Sequence, residues 1–178
     1  VVGNNLQLTY SRSKKTSFSI GLSHSFTNNA IQYVILYDPV TKANRLTMGN
    51  NGSNKLTGMN LNISQSITPK WNMNFTTNLN YVFVRGYVDG SIRENEGMKG
   101  NFALSTGYRL DKGWRLNANM NYLLTPEILL QGEGIAIFFS GLSVNKELFK
   151  EKLAISGSIN NPFNKFMFFP NNIKGDNY

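Results

Sequence analysis

From Met59 to Phe83 the chain keeps a two-residue beat that no helix can use. Apolar Met59, Leu61, Ile63 and Ile67 hold odd positions against Asn60, Asn62, Ser64 and Ser66 on even ones. After Thr68-Pro69-Lys70 the beat resumes, with Trp71, Met73, Phe75, Leu79, Tyr81 and Phe83 opposed by Asn72, Asn74, Thr76, Asn78 and Asn80. Successive side chains of a strand point to opposite faces, so this stretch is a long β-hairpin with one apolar and one polar face. Its meaning depends on whether the apolar face meets a protein core or lipid.

The same beat recurs along the chain. Leu6, Leu8 and Tyr10 alternate with Asn5, Gln7 and Thr9 and stop at a basic turn, Arg12 to Lys15. Phe18, Ile20, Leu22 and Phe26 then oppose Ser17, Ser19, Gly21, Ser23 and Ser25, with His24 on the apolar side as an amphipathic ring near a water boundary. The pattern loosens through Ile31, Tyr33, Ile35 and Tyr37, passes Asp38-Pro39 and returns through Arg45 to Met48, which predicts a hairpin projecting beyond the main sheet. The Gly/Asn cluster Asn50 to Asn54 has turn chemistry and is expected to break it. A loop rich in glycine and charge is expected between Arg85 and Met98. Phe102, Leu104 and Tyr108 next alternate with Asn101, Ala103, Ser105, Gly107 and Arg109. The tight turn Asp111-Lys112-Gly113 leads to Trp114, Leu116, Ala118, Met120 and Tyr122 against Arg115, Asn117, Asn119 and Asn121. This hairpin copies the first, down to a tryptophan directly after a short lysine-bearing turn. A loop over 125–134, a more continuously apolar run over 135–144, a short link over 145–151 and a strand through Leu153, Ile155, Gly157 and Ile159 complete the pattern. The tail from Asn161, with Phe163, Phe166, Phe168 and Phe169, receives no assignment.

The expected fold is therefore all-β, one antiparallel domain over 1–178 with about eight long strands joined alternately by short and long connections. Lys14, Lys15, Lys70, Lys112, Lys146, Lys150 and Lys152 lie at the short breaks; Asp38, Asp89, Glu94, Glu96, Glu127 and Glu133 fall mostly in the long ones. Charge sorted by connection type describes a two-sided object. The net charge of +8 is scattered over these turns and forms no stripe of the kind that binds nucleic acid.

Several chemistries lack their residues. There is no cysteine, and His24 is the single histidine, so neither a thiolate or histidine metal cluster nor a histidine-based triad is expected. The glycines of 86–97 have neither the spacing nor the lysine of a phosphate-binding loop. No segment spaces carboxylates for calcium. Glu94 and Glu96 form the nearest approach to paired acids, without a histidine nearby in sequence, and are expected to be solvated rather than catalytic. No enzyme activity and no cofactor are expected.

The strands are about twice the usual 5–6 residues, and no run of about 18 apolar residues marks a membrane helix. A barrel strand crosses a membrane with about 9–11 residues of which every second is apolar, which agrees with a slightly negative mean hydropathy. Turn-proximal Trp71 and Trp114, with Tyr10, Tyr81, Tyr108 and Tyr122, suit aromatic girdles. The polar faces carry Asn, Ser, Thr and Gly instead of the charges of a soluble surface. These features favour a transmembrane β-barrel over a soluble sandwich, with its short turns on the periplasmic side of a bacterial outer membrane. Asn60, Asn62, Asn72, Asn74, Asn78, Asn80, Asn101, Asn117, Asn119 and Asn121 are then the candidate lumen-facing wall. The opposite face meets outer-membrane lipid.

The order of several short motifs resembles the barrel of TonB-dependent outer-membrane receptors, in the outer-membrane β-barrel branch of that family. They are Leu8-Thr9-Tyr10, Ala30-Ile31-Gln32, the stretch Asn54 to Asn62, Lys112-Gly113-Trp114, Leu130-Gln131-Gly132 and Ser158 to Asn164 with its Asn161-Pro162-Phe163-Asn164. The resemblance implies an arc of a barrel of about 22 strands around a plugged lumen. It also implies uptake of a bulky or scarce substrate, driven by a TonB-type energy-coupling protein acting through the parent protein. No plug domain or coupling box precedes Val1, and no closing strand with a terminal aromatic residue ends the chain, so a late barrel segment is expected. The alternative is an eight-stranded barrel complete in itself, with a structural, adhesive or small-pore role. In that case the strand of Leu8 pairs with the strand of Ile155.

Overall fold

The computed structural model describes residues 2–38, 40–88, 90–125, 127–149, 152–164 and 171–173. Its strands are β1 (Val2–Ser13), β2 (Thr16–Asp38), β3 (Ala43–Thr68), β4 (Trp71–Val88), β5 (Ser91–Arg109), β6 (Trp114–Leu123), β7 (Ile128–Leu129), β8 (Gly132–Gly134), β9 (Ile137–Leu148), β10 (Leu153–Asn160) and β11 (Asn171–Ile173). Eight of them form one antiparallel sheet in the order β1-β2-β3-β4-β5-β6-β9-β10, and β11-β8-β7 form a small second sheet.

Period-two patterning explains the hairpins directly. Both predicted hairpins form: β3 pairs with β4 across a turn at Pro69 and Lys70, and β5 with β6 across a single 3-10 turn at Asp111–Gly113. Lys112 and Gly113 sit at φ 62° and 78° there, a left-handed bend that glycine makes at little cost. Lys70 Nζ reaches Asp111 across 2.5 Å and ties these neighbouring turns together. Its hydrogen bond to that carboxylate, helped by the opposite charge, holds the Lys70 ammonium above its usual range.

Four expectations are corrected. The predicted loop between Arg85 and Met98 is strand: β4 runs to Val88 and β5 begins at Ser91, and Gly90 lies between them at φ 77°. The charges that suggested a loop are cross-strand partners instead, with Arg85 Nε 3.2 Å from Glu94 Oε1 and the Tyr81 hydroxyl bonded to Glu96. The expected break at Asn50 to Asn54 is also absent, because β3 continues through it. The ladder shifts by one residue in β2 at Asn29 and by one in β3 at 51, so Asn28 faces Ser53, Ala30 faces Gly52 and Ile31 faces Asn50. Asn29 adopts φ 52°, a left-handed conformation that asparagine tolerates better than most residues. Finally, residues 145–148 belong to β9 rather than to a link, and the 125–134 loop contains the β7–β8 hairpin.

Long strands thus take the place of long loops. β2 and β3 have 23 and 26 residues, whereas β6 and β10 have 10 and 8. The β6–β9 connection is long, and it folds back onto the sheet. The tail residues 165–170 and 174–178 lie outside the described residues, while Asn161 and Asn164 bond to the backbone of Ser140 and Phe138 in β9.

Candidate functional site

The registers place every candidate asparagine on one face. Asn60 stands opposite Asn78, Asn62 opposite Thr76, Asn74 opposite Ser64, Asn72 opposite Ser66 and Asn80 opposite Gly58. Asn78 then meets Asn101, and Asn117, Asn119 and Asn121 meet Gly107, Ser105 and Ala103. The other face of the same rows carries Leu61, Ile63, Phe75, Leu79, Phe102, Leu104, Met120 and Tyr122.

These asparagines do more than stack on one another. Asn60 lies over Gly21, where an added Cβ would come 2.7 Å from its amide. Asn80 covers Gly58, Asn72 and Asn117 flank Gly107, and Asn119 covers Gly141 in the same way. The amides of Asn60 and Asn119 lie flat over their glycines, while Asn72, Asn80 and Asn117 turn an amide oxygen toward theirs. Hydrogen bonds from Ser64 to Asn74, at 2.7 Å, and from Asn117 to Ser143, at 3.1 Å, extend the pattern. Asn121 Oδ1 is buried without a partner among the described residues. The wall is therefore polar, thin and largely uncharged. Sequence reasoning found the asparagines but missed their glycines; the available signal was the parity of Gly21, Gly58, Gly107 and Gly141, all on the polar side.

On the opposite face of β4 the apolar positions run from Met73 to Phe83. That is roughly 34 Å at about 3.4 Å per residue, or about 25 Å of membrane once a barrel tilt is applied. At its far border His24 Nδ1 lies 2.9 Å from Thr57 Oγ1, and the Lys55 ammonium sits 5.9 Å and 5.8 Å from the Phe26 and Phe83 rings. Trp71 and Trp114 mark the near border beside the short turns. The acids once considered as a pair, Glu94 and Glu96, both project from the outer face of β5 and engage Arg85 and Tyr81. No cluster of three or more metal-ligating side chains occurs among the described residues.

Beyond the far border the polar face becomes apolar. Val34, Val82, Val84 and Val88 line it, and Ile128 and Leu130 of the returning β6–β9 segment pack on them, all at most 7% exposed. Amides hold that segment in place. Asn95 Nδ2 donates to the carbonyls of Leu129, at 2.7 Å, and Gly132, at 3.1 Å. Gln131 accepts from the Ile35 amide at 2.8 Å and donates to the Ile35 carbonyl at 3.0 Å. β1 pairs with β2 as far as Asn28, and beyond that point Gln131 holds the edge of β2 at Ile35 among the described residues. Gln32 lies close by over Gly52 and Gly86, donating to Asn54 Oδ1 at 2.7 Å. Two of the resemblance motifs, Ala30-Ile31-Gln32 and Leu130-Gln131-Gly132, thus meet in space.

An antiparallel sheet with a lipid-width apolar face, a thin amide-lined reverse and girdle tryptophans defines a wall of the outer-membrane barrel class. A family comparison agrees: residues 2–178 match the outer membrane protein beta-barrel family, and the chain belongs to it. Its location is the bacterial outer membrane. Comparison with curated proteins and with solved structures returns no match.

Proposed function

We propose that the chain is an arc of a TonB-dependent receptor barrel, serving energy-coupled uptake of a substrate too bulky or scarce to enter by diffusion. The observation that carries this reading is the open sheet. Among the described residues β1 pairs only with β2 and β10 only with β9, so the partnership of Leu8 with Ile155 demanded by an eight-stranded closed barrel is not formed. An unpaired backbone group in hydrocarbon costs several kcal/mol. Both edges therefore require further strands, as neighbours in a larger barrel supply.

The wall fits that use. A lumen of about 22 strands is wide enough to hold a plug, and flat amides offer it hydrogen bonds without obstructing it. The partners in this reading are the plug domain of the parent protein, the TonB-type coupling protein acting through it, the outer-membrane lipid and the transported substrate. Nucleic acid, cofactors and catalysis have no part in it.

Two tests bear on the reading. Cysteines placed at Leu8 and Ile155 in the intact membrane-inserted protein are expected to remain unlinked on oxidation; efficient disulfide formation overturns the arc in favour of the small barrel. A plug domain encoded upstream of Val1 is expected, and its absence from the parent protein overturns the receptor assignment.

A further inference from the structure

The lipid-facing side is not uniformly convex. Ala118 and Gly157 are small residues in adjacent rows, and between Leu116, Leu142, Val144 and Ile159 they leave an open apolar groove of about 740 Å³. The registers of β6, β9 and β10 bring these residues together. A Cβ added to Gly157 would meet only Val144 Cγ1, at 3.8 Å, so no side chain of the described residues packs over this glycine.

The turn-side end of the groove is aromatic and then basic. Trp71 and Tyr108 close it, with Trp71 Nε1 donating to Thr106 Oγ1 at 2.8 Å. Lys146, two residues beyond Val144 on the same face, holds its ammonium 5.1 Å from the Trp114 ring and donates to the Lys112 carbonyl. A second, polar depression is lined by Lys14, Lys15, Lys70, Arg109 and Arg115 together with Asn72, Gly107 and Asn117, so it opens on the asparagine face and meets the groove only at the rim, where the two share Trp71 and Tyr108. Asp111 and Glu147 neutralise Lys70 and Arg115. Lys14, Lys15, Lys112 and Lys146 form no ion pair among the described residues. An apolar slot on a membrane face that ends in aromatic rings and the Lys146 ammonium complements one kind of molecule, an amphiphile with an acyl chain and an anionic head.

We infer that this groove is a binding site for an anionic glycerophospholipid of the leaflet at the short turns. One acyl chain lies along Leu116, Ala118, Leu142 and Gly157, and the headgroup phosphate lies at Lys146. Lys146 is pre-positioned by Trp114, and a headgroup phosphate supplies the counter-charge that the described residues do not. The inference rests on the lipid-facing assignment of this face and is independent of what the barrel transports.

The two tryptophans of the chain both border the site, so they report on it. The protein is reconstituted into phosphatidylcholine vesicles containing either brominated phosphatidylglycerol or brominated phosphatidylcholine, and quenching is compared with that in unbrominated lipid. Phosphatidylglycerol is expected to associate about fivefold more strongly, the attraction of one lysine near a membrane surface. Lys146→Gln is expected to abolish the preference, Gly157→Leu to weaken quenching by both lipids, and Lys55→Gln, at the opposite border, to change nothing. Equal quenching by the two lipids overturns the site while leaving the lipid-facing assignment intact. No quenching by either overturns the assignment itself. A preference that survives Lys146→Gln and disappears only in high salt also overturns the site, because it marks diffuse attraction to the basic rim. A photoactivatable phosphatidylglycerol offers a second measurement on the unmutated protein, with cross-links expected on peptides carrying 116–118, 142–146 and 157–159. Cross-links spread evenly over the outer face count against the site.

Discussion

The half of the sheet beside the short turns and the half beyond Lys55 share their strands but reverse the chemistry of their inner face. In the membrane half that face carries Asn60, Asn74, Asn78 and Asn119 over glycines. In the projecting half it carries Val34, Val82, Val84 and Val88 under Ile128 and Leu130. Surroundings explain the difference. In the proposed orientation lipid solvates the outer side of the membrane half, which leaves its inner side free to be polar. The projecting half has water outside and must bury apolar surface within, as any soluble sheet does. Its cover comes from the β6–β9 segment, which folds back over it.

The comparison makes predictions of graded size. Val84→Asp places an unpaired charge in the projecting core and is expected to cost about 3–5 kcal/mol locally. It should release the β7–β8 hairpin to proteolysis, while Asn74→Asp on the same face lower down does neither. If both substitutions proved equally mild, the reversal would be wrong. Phe75→Arg is expected to cost about 2–4 kcal/mol in the denaturant unfolding of the membrane-inserted protein, and Asn74→Arg much less. A nitroxide at position 75 should be accessible to lipid-dissolved oxygen and one at 74 should not; the opposite result would exchange the two faces. Gln131→Ala removes the cap on Ile35 and is expected to cost about 1–2 kcal/mol, seen as faster amide exchange at Ile35 with the membrane half unaffected.

The smallest effect concerns the tip of the projection. The Thr41 hydroxyl, with the amides of Val40 and Thr41, holds the Asp38 carboxyl below its ordinary value near 3.8. A depressed carboxylate contributes stability above its unfolded pKa and loses it as pH falls through the folded value. Exchange of the Val40 and Thr41 amides should therefore quicken in acid below about pH 4 relative to its intrinsic rate, and Asp38→Asn should remove the dependence.

The membrane half was legible in the sequence because its signal is local. Period-two alternation from Met59 to Phe83 and from Phe102 to Tyr122 needs no knowledge of partners, and the tryptophans beside the turns mark its border. The projecting half was harder to read. Charged residues such as Arg85 and Glu94 look like loop until the register makes them neighbours, and the Gly/Asn run at 50–54 looks like a turn until a compensating shift appears in β2. The asparagine-over-glycine pairing was hidden for the same reason, since Asn60 and Gly21 lie on different strands. The partners of Leu130 and Gln131 depend on where a long connection folds, which no periodicity encodes.

The paired register shifts at Asn29 and 51 act as a phase correction. Along β2 the outward residues are even-numbered through Phe26 and odd-numbered from Ile31; along β3 the parity changes in the opposite sense, and the two changes cancel. Each strand is therefore spliced from two segments whose counting disagrees while their faces agree. Removing both extra residues straightens the ladder without turning a face over, so the joint is a natural place to shorten, lengthen or exchange the projecting arm and leave the membrane wall in register.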